Sequence, residues 1–245
     1  MKKVLVISLL VIVLLLTSCT RVADTPASTE PEAIAEAFLQ ASSRNDIDTG
    51  LSLLSDDVIF RQEPPGISVE GKTEVEAGLR KDTAWHHQHS LTSPFSVDGD
   101  KVSCSAKISG DDFRIIGMEH INVSYEFLIR DGKIHSILIK PNSEDWAKVV
   151  ELTNGRIGVK IEFVEQGIKV KEFAQDSPAK GAGIELGDVI TAVDGVSFSE
   201  MREGEIILRI QGPVGSKVLL TIIREGVPTP IDIEVTRVDL SQLRY

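Results

Sequence analysis

Ser177-Pro178-Ala179-Lys180-Gly181-Ala182-Gly183-Ile184-Glu185-Leu186-Gly187-Asp188-Val189-Ile190-Thr191-Ala192-Val193-Asp194-Gly195 places a helix cap, a short helix, a glycine stop, a buried strand and a tight turn within one run. Ser177 supplies an N-cap oxygen, and Pro178 suits the first helical position because the N–H it lacks would have no partner there. Ala179 and Ala182 let that turn lie close on a sheet, and Gly183 ends it by taking a positive φ without a Cβ clash. A second turn follows at Leu186-Gly187-Asp188. Val189, Ile190, Ala192 and Val193 read as a buried strand, and Asp194-Gly195 is a hairpin-type turn signal.

Ser-Pro-Ala-x-x-Ala-Gly-Ile-x-x-Gly-Asp-x-Ile-x-x-Val-Asp-Gly resembles the central signature of bacterial PDZ domains, those of the carboxy-terminal processing proteases above all. The likeness runs from Gly155-Arg156-Ile157-Gly158-Val159 through Ile210-Gln211-Gly212-Pro213-Val214-Gly215-Ser216 to Thr236-Arg237. It implies a small β-barrel-like domain with two helices that binds an extended peptide, usually a C-terminus, as an added strand at a sheet edge. On that resemblance Gly155, Arg156, Ile157, Gly158 and Val159 form the loop whose N–H groups receive the terminal carboxylate, with a charge-assisted contact from Arg156. Val159 to Ile161 is the docking edge. A helix from about Met201 to Ile210 is the facing wall, with Ile206 and Ile207 as alternative residues for the side-chain pocket. Gly204 lies inside that helix, where glycine weakens it.

In the processing proteases a catalytic domain with a Ser/Lys pair follows the PDZ. Here only Val238 to Tyr245 follows the last expected strand, and no Gly-x-Ser-x-Gly elbow or His-Glu-x-x-His helix occurs upstream. The peptidase activity is therefore not carried over.

Upstream of Leu152 the period changes. Ile34, Ala37, Phe38 and Ala41 share one helical face, and Thr29 with Glu32 reads as a capping box. Leu51, Leu53 and Leu54 suggest a second short helix, Val58 and Phe60 begin a strand, and Gly71 to Trp85 reads as a third helix with Val75 and Leu79 inward. Val102, Cys104, Ala106 and Ile108 then alternate with polar residues, as do Ile121, Val123, Tyr125, Phe127 and Ile129. Asp98-Gly99 and Asp131-Gly132 stand where hairpin turns belong. Helices followed by a meander of long antiparallel strands predict an α+β domain with helices on one curved sheet.

That order, with Ala33-Ile34-Ala35-Glu36-Ala37-Phe38, Leu54-Ser55-Asp56-Asp57-Val58, Glu70-Gly71-Lys72-Thr73-Glu74-Val75 and Phe127-Leu128-Ile129-Arg130-Asp131-Gly132-Lys133-Ile134, resembles the NTF2-like, or SnoaL-like, cone fold. Some members enclose a pocket that does acid/base chemistry with an Asp and a His, which here points to Asp57 and His89. All five histidines, His86, His87, His89, His120 and His135, fall in this region. The His-His-x-His run has no third-position carboxylate, so neither a metal nor another cofactor is expected. A helix over Asn142 to Leu152, with Trp146 and Val150 on one side, joins the two domains.

The chain begins with Met1-Lys2-Lys3 and an apolar run from Val4 to Leu16, of signal-peptide rather than spanning length. Leu16-Thr17-Ser18-Cys19 resembles a lipobox, which implies cleavage before Cys19, lipid on its sulfur and an extracytoplasmic location. Cys104 is then the one remaining thiol, on the inward face of its strand, where a buried inert group is expected. The formal charge of −11, from 26 basic and 37 acidic residues, excludes nucleic-acid binding through a basic face.

The expected organisation is a leader over 1–18, a lipidated cysteine and tether over 19–30, a cone domain over 31–151 and a PDZ domain over 152–240. The expected function is a non-catalytic, lipid-anchored adaptor for peptide or protein C-termini, with a homodimer or second binding surface on the cone domain. The alternative is a small-molecule isomerase, dehydratase or hydrolase that uses the cone pocket.

Overall fold

The computed structural model describes residues 30–245, so the leader, Cys19 and the capping residue Thr29 lie outside the described residues. No helix among the described residues is long and apolar enough to cross a membrane. Two separate hydrophobic cores organise the chain, one for each half.

The first half contains α1 (Pro31–Ser43), α2 (Ile47–Ser52), β1 (Leu54–Gln62), β2 (Ile67–Glu70), α3 (Lys72–Ala84), β3 (Gln88–Leu91), β4 (Ser96–Asp98), β5 (Lys101–Ser109), α4 (Asp111–Ile115), β6 (Ile121–Arg130), β7 (Lys133–Pro141) and α5 (Ser143–Thr153). Its sheet runs β2-β1-β7-β6-β5-β3, with β4 also on β5. β5 and β6 alternate between buried and open residues as their period-two pattern requires, and Tyr125 and Phe127 are sealed in the core. α1 lies across that face, with the Phe38 ring meeting Phe127 edge-on at 6.2 Å.

Three expectations need correction. β1 pairs with β7 in parallel, so the sheet is mixed rather than a pure antiparallel meander; alternation marks which face is buried and carries no information on partner direction. Leu54 is a fully buried strand residue, because α2, capped by Asp46 accepting from Thr49 N at 3.1 Å, stops at Ser52. In α5 it is Val149 that packs on the first core, while Val150 is exposed. Asn142 caps α5 by accepting from the N–H of Glu144, and Asp145 ties the helix to β6 through the N–H and amide of Asn122 at 2.7 and 2.8 Å.

The second half contains β8 (Gly155–Arg156), β9 (Val159–Val164), β10 (Gly167–Phe173), α6 (Pro178–Gly181), β11 (Val189–Val193), β12 (Val196–Ser197), α7 (Glu203–Ile210), β13 (Lys217–Ile223), β14 (Ile231–Thr236) and β15 (Val238–Asp239). The sheet order is β14-β13-β11-β10-β9, with β12 on β11, and β15 pairs with β8. Ser177 accepts from Lys180 N at the head of α6, and Gly183 takes φ 100° at its end. Asp194 and Gly195 turn with φ 48° and 78°. Asp188, only 1% exposed, accepts from Glu185 N at 2.8 Å and takes the Arg224 guanidinium on both oxygens at 2.8 Å, which locks the turn ahead of β11.

Candidate functional site

β9 is the end strand of its sheet, so one row of its backbone groups faces outward rather than toward a neighbouring strand. α7 stands opposite, and the groove between them encloses about 650 Å³, part of it open to solvent. Its walls are Val159, Ile161, Ile168, Ile207 and Ile210. At its head the chain turns through Ile157 and Gly158, whose N–H groups have no protein acceptor among the described residues, while their carbonyls are taken by Ala179 and Ala174. Gly158 has φ 77°, and a Cβ there would lie 3.0 Å from Ser177 Oγ and 3.1 Å from Leu243 Cδ2 and Pro178 Cδ. Only glycine fits both the dihedral and the space. The result is an apolar slot ending in two unused donors, suited to a side chain followed by a carboxylate.

The structure distinguishes between the two isoleucines of α7. Ile207 lines the groove, whereas Ile206 is 4% exposed inside the second core. Successive helical residues point about 100° apart, so one of the pair had to turn away. Arg156 lines the groove, but its Nη1 is engaged by the carbonyls of Thr153 and Gly155. The arginine thus braces the loop through its own backbone, which limits the charge-assisted contact expected of it.

Sequence reasoning missed the groove's third wall. Leu240, Leu243 and Tyr245 line it as well, held there by β15 against β8 and by Gln175 N donating to Arg244 O at 2.7 Å. Lys160 Nζ stands 4.8 Å from the Tyr245 ring centroid. No local signal marks this stretch, since two leucines and a tyrosine after the last expected strand have no periodicity. Arg237 was also missed as a structural hub. It is buried, and it donates to Ile210 O at 2.7 Å, Lys217 O at 2.9 Å, Ser216 Oγ at 2.9 Å and Arg209 O at 3.2 Å.

A second concavity opens in the first half, about 530 Å³ and again partly open. Phe38, Phe60, Leu79 and Ile139 give it an apolar wall, and Asp82, His87, His89 and Tyr125 a polar one. Asp57 is absent from it. The Asp57 side chain is 77% exposed and stands 3.5 Å from His135, because Asp57 projects from the open face of β1. The structure does not bring Asp57 and His89 together as a dyad.

His89 instead shares a 2.7 Å hydrogen bond between Nδ1 and Tyr125 Oη. Burial, with a smaller effect from the neighbouring His87 charge, brings the His89 pKa down to about 4, and burial holds the Tyr125 phenol well above its ordinary value. Both groups are therefore neutral at pH 7, and their shared bond uses one hydrogen and leaves one donor free. His87 Nε2 lies 3.0 Å from both oxygens of Asp112, and its Nδ1 is 3.9 Å from Asp82. Burial opposes the His87 charge, but the Asp112 bond and the charges of Asp112, Asp82 and Asp111 outweigh it and raise its pKa. Asp82 is raised by desolvation from the groups around it and by the like charge of Asp112, against the pull of His87, although its side chain is 55% exposed and water screens much of the effect.

Cys104, by contrast, is a free thiol inside the first core, and burial pushes its pKa up to about 11.

Comparison with known proteins agrees with the second half most directly. Residues 155–235 match the family described as PDZ domain. A carboxy-terminal-processing protease from Bartonella bacilliformis is 28% identical over 138 residues, covering 52% of this chain and 32% of that protein. A probable CtpA-like serine protease from Staphylococcus saprophyticus is 32% identical over 91 residues, covering 36% of this chain and 18% of that protein. The chain thus spans about a third or less of the length of these curated relatives. Among solved structures, an NTF2-like protein of unknown function from Cytophaga hutchinsonii superposes on 51% of this chain and 98% of its own, with TM-score 0.41 and 14% identity.

Proposed function

We propose that the PDZ domain at residues 155–235 captures extended peptide segments, C-termini first among them, for a non-catalytic, lipid-anchored adaptor that works outside the cytoplasm. One observation carries this reading: an unpaired β9 edge faces α7 across an apolar groove whose head presents the N–H groups of Ile157 and Gly158. A strand added to β9 gains main-chain hydrogen bonds, its alternate side chains enter between Ile161 and Ile207, and its carboxylate meets the two donors. The extracytoplasmic location is supported by Met1 to Cys19 and by a relative named as a periplasmic endoprotease. A homodimer through the first domain belongs to the same reading, and sedimentation equilibrium measures it. The direct test is calorimetric titration of the full chain with a C-terminal peptide library, each peptide as free acid and as amide. The free acids bind and the amides lose at least about tenfold in affinity, the loss of roughly 1.4 kcal/mol expected when a charge-assisted hydrogen bond goes. Equal affinities for acid and amide argue for internal segments as ligands, and absence of binding from the whole library removes the reading.

A second reading is favoured by the cleft of the first half. Asp82 lines the same cleft as the neutral His89–Tyr125 pair. That arrangement suits removal of a proton beside a carbonyl by the Asp82 carboxylate, stabilisation of the enolate oxygen by the free donor, and return of the proton to carbon. Hydrogen–deuterium exchange at the α-carbon of a ketone panel, read by NMR with the wild type and Asp82→Asn, tests it. No exchange above buffer in the wild type rejects it.

A further inference from the structure

Gly204 has a structural explanation that the second half alone does not contain. It is the second residue of α7, where glycine is a poorer helix former than alanine. A Cβ on Gly204 would sit 2.7 Å from Cζ2 and 3.4 Å from Cη2 of Trp85, an indole at the end of α3 in the first half. That indole is a rigid ring, so the missing methyl is what lets the two halves approach. Two residues earlier, the Arg202 guanidinium carbon lies 4.4 Å from the Trp85 ring centroid and its Nη2 lies 3.6 Å from Asp111 Oδ2. Asp111 is itself held from three sides. Its N–H donates to Trp85 O at 2.8 Å, its Oδ2 meets His86 Nδ1 at 2.6 Å, and its Oδ1 pairs with Arg114.

Trp85 and Asp111 are thus one preassembled surface, and both grip the start of α7. The other end of α7 is held within its own half by Arg237 on the carbonyls of Arg209 and Ile210. Between these anchors α7 gives Ile207 and Ile210 to the groove. We propose that Trp85 and Asp111 form an interdomain clamp on Arg202 and Gly204 that positions the groove wall, so that docking of the first half regulates peptide capture by the second. The regulatory part rests on the groove being the peptide site; the clamp does not.

The test is hydrogen exchange of the α7 amides, read by mass spectrometry on the full chain carrying Trp85→Ala or Gly204→Ala. Trp85→Ala removes a partly desolvated cation–π contact, whose usual strength corresponds to roughly 2- to 30-fold, and α7 exchanges at least about fivefold faster. Gly204→Ala discriminates by its sign. Without a clamp, alanine stabilises the helix and slows exchange by up to about fivefold; with the clamp, the new methyl pushes Trp85 away and exchange becomes faster. Slower exchange in Gly204→Ala, or unchanged exchange in a folded Trp85→Ala, overturns the clamp. The best free-acid peptide from the library is then titrated against both variants. Affinity falls in step with the loosened helix if the clamp regulates capture, and constant affinity across variants with faster exchange overturns regulation. A wild type that binds no peptide counts against the peptide site, while the exchange data still decide the clamp.

Discussion

Replacing Arg237 with Met is expected to unfold the second half at markedly lower temperature, although Arg237 does not line the groove. An α-helix leaves its last carbonyls without intrahelical partners. In α7 those of Arg209 and Ile210 are taken by Arg237 Nη2 at 3.2 Å and Nε at 2.7 Å, while Nη1 binds Lys217 O and Ser216 Oγ, both at 2.9 Å. Met keeps the length and apolar stem but leaves the Ile210 carbonyl unpaired in a buried setting and those of Arg209 and Lys217 unpaired in half-buried ones. A buried acceptor left without its donor costs about 1–3 kcal/mol, and part of the total is recovered because the desolvated charge also disappears. A net loss of about 3 kcal/mol follows, which for a domain of roughly 90 residues lowers its melting point by about 12–24 °C. The assay is thermal unfolding of the full chain, with exchange of β13 and β14 amides identifying which half melts. Arg237→Lys keeps the charge without the forked donor geometry and is expected to be no more stable than Arg237→Met. A melting point for Arg237→Met within about 4 °C of the wild type, or full stability in Arg237→Lys, would refute the capping argument.

Gly158→Ala places a side chain at φ 77° and 3.0–3.1 Å from three neighbours; stability falls by at least about 1 kcal/mol in urea unfolding, and free-acid peptides bind more weakly. His89 contributes stability that is present above pH 6.5 and lost as pH falls toward about 4, because its folded pKa is depressed. The shift corresponds to roughly 3 kcal/mol, so urea titrations at pH 7 and pH 4.5 show a larger loss of stability in the wild type than in His89→Gln, and equal losses contradict the assignment. His87 has the opposite sign, since its raised pKa adds stability that is present below pH 6.5 and lost as pH rises through the folded value. Cys104 alkylates with iodoacetamide orders of magnitude more slowly in the native protein than in denaturant, as mass mapping of that residue shows, because burial both hides the thiol and disfavours its thiolate. Asp188→Asn, with its amide oxygen kept on Glu185 N, loses the acceptor for Arg224 Nε and weakens the bond from Nη2, and urea unfolding shows a loss of about 2–3 kcal/mol.

Much of the fold was legible because its determinants lie within a few residues of one another. The cap at Ser177, the glycine stop at Gly183 and the turn at Asp194-Gly195 are each made of adjacent residues, and they occur where their chemistry places them. The inward faces of β5 and β6 follow from alternation alone. Where a reading depended on direction rather than period the sequence was silent: alternation says nothing of the parallel pairing of β1 with β7, and the choice between Ile206 and Ile207 for the groove stayed open until α7 was oriented. The cleft residues were half-read: His89 was singled out, but its partner is Tyr125, 36 positions away on a strand whose inward pattern marks it merely as core. Asp57 belongs with His135 on the open face.

By itself the amino-acid order determined the α+β class and the PDZ signature, because caps, turns and strand faces are short-range physics. Only the tertiary structure decided that Leu240, Leu243 and Tyr245 wall the groove, that Arg237 closes α7, and that Gly204 exists to admit Trp85. Those contacts join residues separated by up to about 120 positions, and closure of so long a loop depends on how both cores pack rather than on either neighbourhood.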